Sequence, residues 1–442
     1  MSALGHRAGT VAAVVALGTA LVVGAGIAIE PRSSSDRRAP VEAVEAVDAR
    51  DPLSRSIAAT QDRLTRVPRD WQGWATLGAA YVEQARVTAD PSFYELADGA
   101  LAESMKIQPA DNFPALSGLA ALAAARHEFT EALGLADRSL VINEFNAATH
   151  GIRGDALIEL GRYDEGIAAF QRMVDLRPGT PSYSRASYAW ELRGNLAAAV
   201  ETMEQARDAA ATPADAAFAS YQLAELALAQ GDVATAEQHV ADGLQRNPSS
   251  AELRAGRARV EVAKGETETA LATYAELVAA RPLPGYLVAY GELLESLGRN
   301  DEAEAQYAVV RSVQALFAAQ GVSVDQELAV FETDHGSAPR ALAAAEQVWR
   351  KQRGAVFVED AYAWALHVNG RDREALAHAD AALRLGTRSA LMHFHRGMIR
   401  RALGQRDGAR ADLAAALKID PHFSPLRAPA ARAALAELDP RP

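Results

Sequence analysis

Histidine is the first residue type whose distribution suggests chemistry. Six of the ten histidines lie after residue 330: His335, His367, His378, His393, His395 and His422. Imidazoles gathered at one end of a chain suit a transition metal or a small-molecule ligand. Spacing limits that reading, because helical ligands face one another at i and i+4 and no histidine pair has that interval. His393 and His395 are two apart, so on a helix they point to different faces. Cys is absent, which removes disulfides, thiolate ligands and cysteine nucleophiles together. Carboxylate pairs such as Glu292 and Glu295 occur on any solvated helix and define no acid–base site alone. The phosphate-binding G-x-x-x-x-G-K-[ST] and G-x-G-x-x-G, the hydrolase G-x-S-x-G and the zinc H-E-x-x-H motifs are all missing. We therefore expect no enzyme, no catalytic residues, no metal and no cofactor. An accessory role in metal or small-molecule handling through the C-terminal histidines is the alternative.

The 442 residues carry a formal net charge of −12, with 49% hydrophobic, 23% charged and only 6% aromatic residues. Abundant Ala and few aromatics favour packed helices over a sandwich of strands. An acidic chain does not suit general binding to a phosphate backbone, so no nucleic acid is expected. Lys occurs four times in 45 basic residues. Arg scattered so widely reads as the codon bias of a GC-rich bacterial genome.

A short basic head, residues 1–7, precedes 22 uncharged residues from Ala8 to Ile29. That run is long enough for a membrane-spanning helix of about 30 Å. It also resembles a signal segment, with Gly26-Ile27-Ala28 as a small-residue cleavage site. Residues 8–29 are accordingly expected to be a transmembrane anchor or a signal segment. The expected location is the cell membrane, single-pass, with the bulk of the chain extracytoplasmic. Residues 30–50 hold Pro, Ser, Ala and mixed charge with no apolar stripe, and read as a flexible tether.

The elements that would position any site recur with one period. Trp74, Leu77, Gly78 and Tyr81 stand in the order W-x-x-L-G-x-x-Y. Leu160-Gly161-Arg162-Tyr163 leads through Gly166, Phe170 and Met173 to Pro178. The same grammar returns from Gln230 to Pro248, Lys264 to Pro282, Leu297 to Ala303, Asn369 to Ala375 and Leu403 to Pro421. Aligned, they begin near residues 71, 113, 147, 180, 217, 251, 284, 322, 356 and 390. After a first gap with an insertion near Thr88–Ser92, the spacing stays close to 34, and this pattern resembles the tetratricopeptide repeat.

The physics of one unit is visible in its residues. His150, Arg153/Gly154 and Leu157 share one face of a first helix, and Gly166, Phe170 and Met173 one face of a second. Gly78 and Gly154 fall where helices cross closely. Glycines at the turn supply a left-handed residue, and Pro178, Pro248, Pro282 and Pro421 end the second helices. The expected fold is all-α: a right-handed solenoid of about ten helix-turn-helix units over residues 71–421. Residues 51–69 form an N-terminal capping helix and residues 422–442 a C-terminal capping helix and tail. Ser312–Gly321 reads as an extended connection before the weakest unit, Val322–Arg353.

Proteins that look like this line a concave groove with their first helices and bind protein segments there. Carried over position by position, the resemblance implies a groove of Tyr188, Glu191, Tyr221, Glu225, Arg259, Glu292, Glu295, Asp360, Trp364, His367, Phe394 and Arg401. Lys and Asn clamps for a terminal carboxylate are missing from those positions, so chaperone-tail binding is not expected. Charge is uneven: Glu292, Glu295, Asp301, Glu302 and Glu304 crowd the middle, and Arg388, Arg396, Arg400, Arg401, Arg406 and Arg410 the end. The expected function is a membrane-tethered scaffold that binds a protein segment in its groove. Self-association through the acidic middle and basic end is a further alternative.

Overall fold

The computed structural model describes residues 52–319, 322 and 325–438. The head, the apolar run and the tether lie outside the described residues. Among the described residues the regular structure is entirely helical. Helix α1 (Pro52–Arg66) precedes ten pairs: α2 (Trp71–Thr88) with α3 (Phe93–Ile107), α4 (Phe113–Ala125) with α5 (Phe129–Ile142), and α6 (Ala147–Glu159) with α7 (Tyr163–Leu176). Then come α8 (Thr180–Leu192) with α9 (Leu196–Asp208), α10 (Pro213–Leu228) with α11 (Val233–Arg246), and α12 (Ala251–Lys264) with α13 (Thr267–Ala280). The last four are α14 (Pro284–Ser296) with α15 (Asn300–Ala319), α16 (Asp325–His335) with α17 (Ala338–Lys351), α18 (Val356–Val368) with α19 (Asp372–Ala382), and α20 (Ala390–Ala402) with α21 (Arg406–Ile419). Helix α22 (Arg427–Leu438) closes the array. Each first helix packs on its own second helix and on the next unit, which is how a right-handed solenoid buries faces that no single pair can cover.

Local chemistry sets the unit. Asp70, Asn112, Asn146, Asn195, Thr212, Asp232, Ser250 and Ser389 each cap a helix by accepting the backbone N–H three residues on. Such caps are each worth about 1 kcal/mol. Where the two helices of a pair cross, a Cβ on Gly78 would sit 2.5 Å from Leu101 and one on Gly154 2.5 Å from the Phe170 ring. Leu101 and Phe170 are fully buried in that space. Gly161, Gly194, Gly231, Gly265, Gly298, Gly370 and Gly404 take positive φ at the turn within a pair. In the second pair His127 takes that conformation (φ 61°), and in the first Ala89 (φ 55°).

Three expected boundaries move. The fifth unit begins at Pro213, not near 217, because Thr212 caps an extra turn. The eighth begins at Asp325. The expected connection at Ser312–Gly321 is instead the continuation of α15 through Ala319. Val310, Val313, Gln314 and Phe317 repeat at helical spacing and are buried. Val313, Phe317 and Val322 pack into the core of the first two units, with Tyr81, Phe93 and Leu122.

That contact belongs to a longer seam in which the winding chain returns onto itself. Turns within the third, fourth and fifth pairs meet the turns that follow the eighth, ninth and tenth. The Tyr163 hydroxyl accepts a hydrogen bond from the Val356 N–H, 193 residues away, at 2.7 Å. The Thr387 hydroxyl donates to the Leu192 carbonyl, 195 residues away, at 2.5 Å. A Cβ on Gly161 would lie 2.6 Å from the Gly354 carbonyl carbon, one on Gly194 would strike the Gly386 carbonyl oxygen, and one on Gly231 would lie 3.3 Å from Pro421. Tyr163, Tyr188 and Leu192 share one apolar cluster with Val356, Ala382 and Met392, and the Arg384 guanidinium covers the Tyr163 ring at 5.1 Å.

Candidate functional site

Helical periodicity puts the polar residues of the first helices on one inner face, and the structure joins them into a ladder between successive first helices. Thr149 on α6 donates to Ser117 on α4 at 2.9 Å. Arg185 on α8 grips Asp155 on α6, with closest approach 2.7 Å. Arg259 on α12 pairs with Glu225 on α10. His335 on α16 stands 3.4 Å from Glu292 and 3.5 Å from Glu295 on α14. The Trp364 indole N–H on α18 donates to Asp334 on α16 at 3.0 Å, and Arg427 on the closing helix reaches the same Asp334 oxygen. His395 on α20 lies 3.0 Å from Asp360 on α18, and its ring stacks on Trp364 with centroids 4.2 Å apart.

The expected groove residues are therefore placed unevenly. Tyr188, Tyr221, Glu225, Glu292, Asp360, Trp364 and Phe394 are buried. Glu191, Arg259, Glu295 and His367 are half-buried and Arg401 is exposed. None of the four groove aromatics, Tyr188, Tyr221, Trp364 and Phe394, is exposed, and Trp364 and Phe394 join Phe423 and the last units in one apolar cluster. Glu292 and Asp360 are committed to His335 and His395, and Arg401 pairs with Glu437 at 2.5 Å. Among the described residues, several ladder atoms are buried without a hydrogen-bond partner: the Tyr188 hydroxyl, the Gln222 amide nitrogen and one oxygen of Glu225 in the fourth and fifth units, and one oxygen of Asp334 and Nε2 of His395 toward the end. Burial raises the Tyr188 hydroxyl well above its ordinary range, so it stays protonated and able to donate. Buried polar atoms left over by the fold are what a ligand would satisfy.

The histidines have partners of another kind. His367 lies 2.5 Å from Asp372, His378 2.5 Å from Glu359, and His393 3.3 Å from Asp412. Burial raises the Glu359 and Asp412 carboxyls, but hydrogen bonds from His378 and from His393, Arg396 and Arg400 nearby bring both below their ordinary values. Among the described residues no three His, Asp or Glu side chains converge on a point where a metal could sit. His393 and His395 face opposite ways, toward α21 and α18. The basic residues of the final units are paired as well: Arg396 and Arg400 both bridge Asp412 and Asp380.

Comparison with known proteins meets this geometry at the level of the unit. Tetratricopeptide-repeat models match residues 111–181, 227–287 and 390–423. The chain carries tetratricopeptide repeats. Similar solved structures include a thermophilic tetratricopeptide-repeat protein of Thermus thermophilus, at 20% identity over 44% of this chain and 98% of that one, with TM-score 0.37. A tetratricopeptide-repeat protein of Parabacteroides merdae is 19% identical over 59% and 98%, with TM-score 0.35. Yeast Tom70 is 12% identical over 87% and 96%, with TM-score 0.36. No curated protein matches the chain by sequence. Tetratricopeptide repeats are interaction scaffolds, and that coarse role is the one the repeats support here.

Sequence reasoning about the repeats missed Asp155, Arg185, Asp334 and Arg427. A signal was present: charged residues recur on first helices at intervals of about one repeat, at Asp155 and Arg185 and again at Glu225 and Arg259. It also missed the seam. The turns after the eighth and ninth units carry glycine, at Gly354 and Gly386, and no proline, and that difference marked turns that something approaches closely.

Proposed function

We propose that this chain is a membrane-tethered scaffold whose solenoid holds a protein segment against the first helices of its fourth and fifth units. The observation that carries the reading is the trio of buried atoms on Tyr188, Gln222 and Glu225 that have no hydrogen-bond partner among the described residues. They lie on adjacent first helices, beside the half-buried Glu191 and Arg259. A segment offering backbone carbonyls to Tyr188 and Gln222 and a donor to Glu225 fits them. On the inner face of the last units Asp334, Trp364, His395 and Arg427 contact one another, while one Asp334 oxygen and His395 Nε2 are likewise buried without a partner among the described residues. Residues 8–29 hold the scaffold at the cell membrane, with the solenoid on the extracytoplasmic side. Among the described residues no helix is long and apolar enough to cross a membrane, so tethering rests on the apolar run alone.

Affinity capture from solubilised native membranes tests this with the full chain, beside a Tyr188→Phe/Glu191→Arg variant of matched circular dichroism. A protein captured by the first and lost from the second is the expected result. A partner retained by both overturns the assignment to these two units, and an empty capture overturns the scaffold.

A further inference from the structure

The seam that joins the turns of the winding chain uses only part of each rim. One rim carries the turns within pairs, and the other the turns between pairs. In the middle of the chain the two meet, at Gly161 on Gly354, Gly194 on Gly386 and Gly231 on Pro421. At the ends each rim is left over. Among the described residues, the turns within later pairs, at Gly265, Gly298, Gly370 and Gly404, have nothing within 4 Å of where a Cβ would stand. Beside Gly298, Leu297 is exposed.

On the opposite rim, one of the turns left over by the seam lies between the second and third pairs. Val141 is 88% exposed, Phe145 65% and Ile142 38%. Counted from their first residues, second helices α5 and α19 are each followed by a first helix at the same interval, although α19 ends at Ala382 while α5 runs on through Ile142. Val141 then corresponds to Arg384, Ile142 to Leu385, Asn143 to Gly386 and Phe145 to Arg388. Those four later positions form the seam: Arg384 covers Tyr163, Leu385 packs on the Tyr163 and Leu192 cluster, and Gly386 and Arg388 lie against Gly194. At these positions the second unit thus presents apolar side chains, with Arg172 over the Phe145 ring, where the ninth unit is buried in the seam, although α5 is still helical at Ile142 and the ninth unit has already turned. Single exposed apolar residues need no explanation, but three together at seam positions do.

The geometry points to a second copy of this chain as the occupant: the rim bearing Val141, Ile142 and Phe145 docks on the rim bearing Leu297 and Gly298 of another molecule. The contact continues the interface that each molecule already makes with itself. Because the two rims differ and lie at opposite ends, the contact is heterologous and leaves a free rim at each end for further copies. It uses turns on the rims and none of the inner-face residues assigned to a partner segment above.

Sedimentation velocity of the full chain over a hundredfold range of concentration tests the docking. The expected result is a mass that rises from one chain to two and beyond. Val141→Glu/Phe145→Glu, on exposed side chains, should remain one chain. So should Leu297→Glu/Gly298→Asn, since asparagine tolerates the left-handed turn while filling the space a facing turn must enter. Mixed together, the two variants each retain one sound rim and should form a one-to-one pair that grows no further. A single-chain mass at every concentration overturns the proposal, whether the rim is bare or covered by other residues of the same chain. Association that survives both variants, or a mixture that stays monomeric while the unaltered chain associates, overturns it as well.

Discussion

At the residue scale, glycine shows how one atom's absence is used for opposite purposes. Gly154 lies where a Cβ would be 2.5 Å from Phe170 and 3.1 Å from the Gly166 carbonyl. Gly134 is a helical glycine with nothing among the described residues within 4 Å of where a Cβ would stand. Gly154→Ala should therefore cost about 1–3 kcal/mol by overpacking. Gly134→Ala should stabilise by up to about 1 kcal/mol. Paired thermal melts check both signs. Asp412 sets the acid response of the last units. Its carboxyl is held low by His393, Arg396 and Arg400 against burial. A carboxylate with a depressed folded value adds stability above its ordinary value and loses it as pH falls. The Tm gap between the native chain and Asp412→Asn should thus be full at pH 7 and close below about pH 4. A gap that does not change with pH contradicts this assignment. Of the expected groove, the positions were legible because the repeat numbers them. Their burial was not, because it depends on residues about one repeat away, such as Asp334 beneath Trp364.

At the scale of elements, most boundaries followed from caps, turn glycines and prolines. Helices α7, α11, α13 and α21 each stop two residues before the proline at 178, 248, 282 or 421. Helix α15 ran past its expected end because no proline or glycine stands between Asn300 and Ala319, and Val313 and Phe317 of its last turns pack into a core outside their own unit. They find one about two hundred residues earlier in the chain, which no local pattern reveals. Phe317→Ala should cost about 3–5 kcal/mol, as the loss of a buried aromatic does. Its reach is the sharper expectation. Hydrogen exchange should quicken in α2 to α4 as well as in α15, since Phe317 shares their core. Faster exchange confined to α15 would show that the contact carries no stability across the seam.

At the scale of the whole molecule, repeats that touch only neighbours would unfold piecemeal, as sums of local terms. The seam adds couplings across 193 and 195 residues. Tyr163→Phe leaves the buried Val356 N–H without its acceptor, at a cost of about 1–3 kcal/mol. The expected signature in a denaturant melt is a broader transition as well as an earlier one, because the units on either side of the seam lose their common fate. An earlier transition of unchanged width would place the hydrogen bond outside the cooperative link. The unit count was readable from period alone. The winding was not, because it depends on small rotations between units that no single repeat records.

Repeat arrays commonly change length by gaining or losing whole units, since an array held only by neighbours is indifferent to its own number. This one is not indifferent. Tyr163 meets Val356 and Leu192 meets Thr387 only while the same number of units separates them. Duplicating or deleting one unit within that stretch would carry every later turn past its mate, setting Gly161 and Gly194 against side chains their missing Cβ atoms cannot accommodate. The seam thus acts as a ruler, under which the interior of the chain keeps its tally of units and growth or loss falls to the two ends.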